Sequence, residues 1–456
     1  KDHSFRSGAS AAAGADSVYE ISQSIRFNDN DTTYMSRTPS SASNRKTWTW
    51  SAWCKRGHIT DSDNGNMFCT YGGGSAFSGI RWETTTQNDT LFIFDFNGSS
   101  FGYQLHTTQV FRDPSAWYHI VFAFDSTESV SSQRARLYIS GQRVTDFRTE
   151  SYPTLNYDSY TNNNQLTVIG ASNSGSYNEH LDGYLAEIYF LDGYAYGPEY
   201  FGTTNSSGIW IPIDYNTETG NYGTNGFHID GRDASDLGDD ESGNGNDFTT
   251  SGLAANDQKS DTPNNNHATW NPLTGSAQVY SNGNLNAATA SAAWKGGLTT
   301  IQVPLNSGTW YYEVYVDSAG SSSGQFSVGW SESSRSITDD NSSGDTEGWI
   351  TYAINGNYYS NGGNGSYGAT YTTGDVIGCK IDTNSSTNNI EFYKNGASQG
   401  TKSQAFNTGG TGFISPYILL YGTRNGTARF AYNEWTQTPA GITQSNAINT
   451  TNLFGA

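Results

Sequence analysis

"TWTWSAWCKR", residues 47–56, alternates bulky apolar side chains with small or polar ones. In an extended chain successive side chains point to opposite faces, so Trp48, Trp50, Ala52 and Cys54 share one face. "WYHIVFAFDS" (117–126) repeats the pattern with Tyr118, Ile120, Phe122 and Phe124. "RLYISGQRV" (136–144) is strand, glycine turn, strand, and in "IEFYKNG" (390–396) the Asn395-Gly396 pair is a strong hairpin signal. No stretch sustains a 3.6-residue apolar period. The 30 Tyr, 22 Phe and 12 Trp suit pleated surfaces, and the 52 Gly suit tight turns. The fold class is therefore all-β.

The strands fall into two series. Residues 1–17, with "SGASAAAGAD", form a low-complexity arm, and the first series occupies 18–211, closing on "HLDGYLAEIYFLDGYAYGPEYFG" (180–202). Residues 212–275, rich in Asn, Asp, Gly and Thr, form a connector with one candidate strand, "GFHIDG". The second series, "GTWYYEVYV", "QFSVGW", "GDVIGCKID", "IEFYKNG" and "FISPYILLYG", fills 276–440, and 441–456 is a C-terminal tail. Strands at this spacing with turns between them predict two antiparallel, jelly-roll-like β-sandwiches. Trp48, Trp50, Trp117, Trp310 and Trp330 are expected in the cores.

The charge balance excludes some partners. With 23 Lys+Arg against 43 Asp+Glu the formal charge is −20, which opposes a phosphate backbone, so no nucleic-acid partner is expected. The longest apolar runs, "IVFAF" and "YILLY", fall short of the roughly 18 residues of a membrane span, so no membrane insertion is expected. The chain opens on Lys1 with no secretory leader, which suits a processed form or the ordered part of something longer. Of the three cysteines, Cys54 and Cys69 could face each other across neighbouring strands, and Cys379 reads as a buried thiol.

Catalytic constellations are sparse. Glycosidases need two carboxylates facing one cleft, about 5–5.5 Å apart for retention. The nearest pair, Glu187 and Asp192, has an odd separation, which sends strand side chains to opposite faces. Gly320-Ser321-Ser322-Ser323-Gly324 matches a nucleophile elbow in letters only, lying between two strands rather than a strand and a helix. The seven histidines show no zinc spacing, and His119 alternates within an apolar strand as a core or interface residue. The expectation is no enzyme.

Binding is better supported. Aromatic faces stack on sugar rings while amides take the hydroxyls. Two loops have that composition: "SNSGSYNEH" (172–180), with Tyr177 and Asn178, and "NYYSNGGNGSYG" (357–368), with Tyr358, Tyr359, Asn361 and Tyr367. The acidic run "DLGDDESGNGNDF" (236–248) places Asp240, Ser242, Asn244 and Asp247 at the opening spacing of a calcium loop. Its twelfth position is Ser251 instead of a bidentate acid, and a metal-free hinge turn explains the run equally well.

These segments carry resemblances. The first series resembles a laminin-G or concanavalin A-like jelly roll, and "WYYEVYV", "VGW", "GDVIGCKID" and "FYKNG" occur in the order of a SPRY-type sandwich. With "FRDPSAWYHIV", "LDGYLAEIYFLDG", "DTPNNNHATWNPL" and "SGTWYYEV", residues 18–440 are similar to virion structural proteins of marine tailed phages. The resemblance implies a tail-fibre or capsid-attached appendage on the virion surface, a homo-oligomer with other virion proteins as partners, binding a host-surface glycan or receptor. It also implies calcium as the one candidate cofactor. The alternatives are a purely structural capsid or tail decoration protein and, third, a glycan depolymerase.

Overall fold

A computed structural model describes residues 19–57, 59, 64–84, 89–215, 221–274, 278–291, 293–320, 326–335, 348–361, 363–384, 388–406 and 412–454. The arm at 1–17 and the serines of the Gly320–Gly324 motif lie outside the described residues. Four large antiparallel sheets make two sandwiches. In the first sheet Thr47–Arg56 lies between Trp117–Asp125 and Gly183–Asp192, with Ser24–Phe27 beyond the latter. The facing sheet runs from Phe147–Ser151 through Phe101–Val110, Thr90–Phe96, Ala76–Glu83, Gly65–Gly73 and Thr167–Ile169 to Tyr34–Arg37. Trp48, Trp50, Ala52 and Cys54 enter the core between them, as do Ile120, Phe122 and Phe124. The alternating pattern thus orients both central strands as read.

In the second sandwich, Thr309–Ser318 pairs with Val376–Asp382 and Arg424–Arg429, and Phe326–Glu332 pairs with Trp349–Ala353 and Phe413–Leu420. Trp310, Tyr312, Val314, Val328 and Trp330 fill that core. The Asn395-Gly396 hairpin forms with both residues at positive φ, 49° and 78°, as a type I′ turn requires.

Several segments differ from the expectation. The segment read as a connector does not run free between domains: its strands between 227 and 259 are built into the first sandwich, and Ala268 and Trp270 enter the core of the second. Phe227–Ile229 pairs with Gly183–Asp192, Thr249–Ser251 with Tyr34–Arg37, and Gln258–Lys259 with Ser24–Phe27. Phe227, Ile229, Leu237 and Phe248 join its core. Strands of two or three residues are too short for any period, so the composition read as loop. The described part of the tail, 441–454, also packs: Ile442 and Ala447 bury beside Tyr311 and Trp435, and Ile448 enters the second core.

The first sheet is covered on both sides, and Gly183–Asp192 is buried at all ten positions. Its outer face carries Ile21, Trp53, Ala186, Trp117 and Trp210, beside a second cluster of Val121, Tyr189, Leu191, Phe201, Tyr215 and Tyr222. Trp117 therefore lies in the outer layer, half-buried, and not in the core. His119 is buried there too, stacked on Trp53 at 4.7 Å and accepting from Trp210 Nε1 at 3.0 Å. Burial pushes its imidazole down to about 3, so it stays neutral. Cys54 and Cys69 sit in different sheets, Cys54 inward and Cys69 on the outer side, and all three cysteines are free and buried.

Candidate functional site

The outer face of the second sheet of the first sandwich gathers an aromatic and polar surface. Tyr34, on the short strand Tyr34–Arg37, stacks on Tyr177 with ring centroids 4.0 Å apart and planes 19° off parallel. Tyr177 is placed by the hairpin Ser172–Asn173 with Tyr177–Asn178, and both tyrosines are half-buried over Cys69, Val168 and Ala171. Asn178 is exposed, and its side-chain oxygen accepts from Ser172 Oγ. The ring of His180 lies 6.1 Å from that of Tyr34.

Next along the chain, Glu179 accepts from Arg81 Nη1 at 2.9 Å, from Asn64 at 2.9 Å and from Asn66 at 2.8 Å. Burial pushes the Glu179 carboxyl up, but Arg81 and the amide donors outweigh it and hold it below the usual carboxylate range. Held ionised, it is a poor proton donor. Arg81 also pairs with Glu83 at 2.7 Å and lies over the rings of Phe92 and Phe94, 5.6 and 5.1 Å from their centroids. Phe77, Phe96 and Phe101 extend this cluster, and Phe101 is 41% exposed. One continuous face thus runs from a stacked tyrosine pair through a buttressed ion pair to a phenylalanine patch. It can stack on a flat apolar ring and hydrogen-bond its substituents.

The residues of the 357–368 loop are not brought together as a platform. Tyr358 is capped by Lys402, whose ammonium lies 4.1 Å from the ring centroid, and the same cation is 5.8 Å from Tyr367. The Tyr367 hydroxyl donates to the Gly400 carbonyl and accepts from Phe392 N–H at 3.1 Å, which ties the two sheets together at their open edge. Tyr359 packs on a different cluster, with Leu298, Trp349 and Tyr417, and Asn361 accepts from Gln404 at 2.8 Å. Tyr34 and Arg81, which complete the first-sandwich face, carry no local signal: each needs a partner about a hundred residues away.

The acidic run is a self-satisfied turn. Asp240 Oδ1 accepts from the His228 and Ser242 N–H groups at 2.9 and 3.0 Å, and Oδ2 from Ser242 Oγ and Asn246 N–H at 2.8 Å each. Asp247 accepts from Asp240 N–H at 3.2 Å, and the amide nitrogen of Asn244 donates to the Gly223 and Gly226 carbonyls. A calcium ion would have to displace four donors from Asp240 alone, so these residues do not fit the cation. Among the described residues no group of three or more His, Cys, Asp or Glu could hold a metal.

Glu187 and Asp192 do not share a site either. Glu187 sits at φ 50° in a bulge of its strand, where it accepts from His228 Nε2 at 2.8 Å and from Tyr189 OH. Burial pushes its carboxyl up, but His228, Tyr189 and Tyr19 outweigh this and hold it below the usual range. Asp192 accepts from the N–H groups of Asn44 and Asn225 at 3.1 and 3.0 Å and serves a separate turn.

Two family models match. Residues 28–195 match the concanavalin A-like lectin/glucanases superfamily, and residues 309–433 match the SPRY domain. An E3 ubiquitin-protein ligase, RKP of Arabidopsis thaliana, is 34% identical over 108 residues, 23% of this chain; the match spans 8% of that relative's length. Among solved structures, the SPRY domain of human HERC1 is 21% identical, with 35% of this chain and 96% of that one covered and a TM-score of 0.29. Domains LG4-5 of the mouse laminin alpha1 chain are 10% identical, with 96% and 86% covered and a TM-score of 0.30. The chain carries a concanavalin A-like domain followed by a SPRY domain.

Proposed function

We propose that the chain is a non-enzymatic binding protein of a virion surface, a tail-fibre or capsid-attached appendage whose first sandwich takes a host-surface carbohydrate. The observation that carries the binding half is the half-exposed Tyr34–Tyr177 stack beside Asn178 and His180 on a lectin-type sandwich. The virion half rests on the order of motifs across residues 18–440 and makes other virion proteins and further copies of this chain the partners. A shallow face of this kind binds weakly per site, and display in several copies multiplies avidity by roughly 10²–10⁴. The −20 charge argues against attraction to a polyanionic surface as the driving force.

The second reading is a purely structural decoration protein. The exposed Phe101 within its phenylalanine cluster favours it, because apolar surface of that kind suits protein contacts. A glycan array probed with monomeric and multimerised protein separates the two. Binding by the multimer that is lost in Tyr177→Ala supports the lectin reading. Silence on every glycan, with firm binding to isolated capsid or tail proteins, supports the structural one.

A further inference from the structure

Lys55 is the penultimate residue of the central strand of the first sheet, with its side chain withdrawn from solvent. Its nitrogen lies 2.7 Å from Asp261 Oδ2, 2.8 Å from Asn266 Oδ1 and 3.0 Å from the His267 carbonyl. Asp261 is itself buried and aimed: its second oxygen accepts from Trp117 Nε1 at 3.1 Å and from His267 N–H at 3.2 Å. The amide nitrogen of Asn266 donates to the Ser115 carbonyl at 2.6 Å, which fixes the plane of the side chain. An amine, a carboxamide and a carboxylate thus meet where the two sandwiches join, with the ring of Tyr184 5.8 Å from the amine. With a C=O bond of about 1.2 Å, the amide carbon is at most about 4 Å from the lysine nitrogen. To reach the ~3–3.5 Å of a near-attack geometry, Asn266 must turn its amide carbon toward that nitrogen.

We propose that Lys55 and Asn266 join in an intramolecular isopeptide bond, with Asp261 as the proton carrier. Asp261 takes a proton from the lysine nitrogen, whose lone pair then attacks Cγ of Asn266. The Cγ–Nδ2 bond breaks as Asp261 returns that proton to the departing nitrogen; Asp261 then takes the second proton from the new amide nitrogen and passes it to the ammonia, which leaves as ammonium past the half-buried asparagine. No oxidant, reductant or cofactor enters the balance. The product ties the centre of the first sheet to the segment that leads into the second sandwich, across 211 residues of sequence.

The test is mass spectrometry on the folded full chain, intact and after denaturing digestion. The expected result is an intact mass lower by one ammonia and a branched peptide joining Lys55 to Asn266. Asn266→Ala should regain the unmodified mass and give linear peptides, with a lower melting temperature than the parent. Succinimides at Asn-Gly pairs also release ammonia, so the branched peptide decides. Linear Lys55 and Asn266 peptides from the folded parent chain would overturn the proposal and leave an ordinary buried ion pair. A branch from Lys55 to Asp261 with loss of water would overturn the assignment of Asn266 as the acyl donor.

Discussion

Asp95 gives the sharpest stability test. It lies on the Thr90–Phe96 strand, fully buried, and accepts from Tyr157 OH at 3.0 Å, Ser159 Oγ at 2.9 Å and Tyr160 N–H at 2.8 Å. Burial pushes its carboxyl from 3.8 up to about 6, the three donors offsetting only part of the cost of burying the charge. Below pH ~3 the group is protonated in both folded and unfolded chains and costs nothing. As pH rises the unfolded chain releases the proton first, so stability falls until the native carboxyl also ionises near 6. Two pH units at ~1.4 kcal/mol each give a loss of about 3 kcal/mol, complete by pH ~7. Asp95→Asn keeps a carbonyl for Ser159 and Tyr160 and cannot titrate. The stability of the parent chain relative to this variant should therefore drop by about 3 kcal/mol between pH 3 and 7. For a cooperative unit of 150–250 residues that is roughly 6–12 °C in melting temperature. Calorimetry of both proteins across this range measures it. A pH-independent difference, or one that grows in favour of the parent chain, refutes the reasoning.

Glu187→Ala strands His228 and Tyr189 without their shared acceptor and should cost about 3–5 kcal/mol in denaturant melts; release of reducing ends by the parent chain that this variant abolishes would instead reinstate a glycosidase. Asp240→Ala should cost roughly 1–3 kcal/mol by leaving the turn's buried donors unmet. Chelation with EDTA should leave the melting temperature of the parent chain unchanged, and a drop would restore a calcium site at 240–247. Limited proteolysis should leave 227–259 with the first sandwich, because its strands are paired there; a stable fragment beginning inside that range would contradict the pairing.

Where a side chain's fate depends on its own strand, the sequence is legible. Trp48, Trp50, Ile120 and Phe122 announce an inward face by alternation alone, and Asn395-Gly396 announces its turn. What it hides depends on distant partners. Nothing near Trp117 says that the outer face of its sheet is also covered, and nothing in "GFHIDG" says it pairs with the middle of Gly183–Asp192. The candidate site divides the same way. The 172–180 loop advertises Tyr177 and Asn178, but Tyr34, 143 positions away, completes the stack. The 357–368 loop advertises tyrosines equally well, and Lys402 on a neighbouring edge occupies the ring face that a sugar would need.

The way residues 227–259 thread the first sandwich bears on how such proteins can be reassembled by recombination. Gly283 and Asn284, at the threshold of the second sandwich, bond back to Tyr184 OH and to the Gly57 carbonyl, each at 2.8 Å, and Lys259 reaches Glu434 at 2.5 Å. A crossover at 211 would take a strand from one partner and leave its hydrogen-bonding groups bare, and a crossover near 275 would set mismatched faces against each other. Neither sandwich is a portable cassette. Exchange between relatives should succeed at loop tips, such as the turns around Gly74 or Gly175, which have open space about them and need only keep a glycine at the positive-φ position. Binding specificity would then diversify by changing those tips while the two sandwiches are inherited as one block.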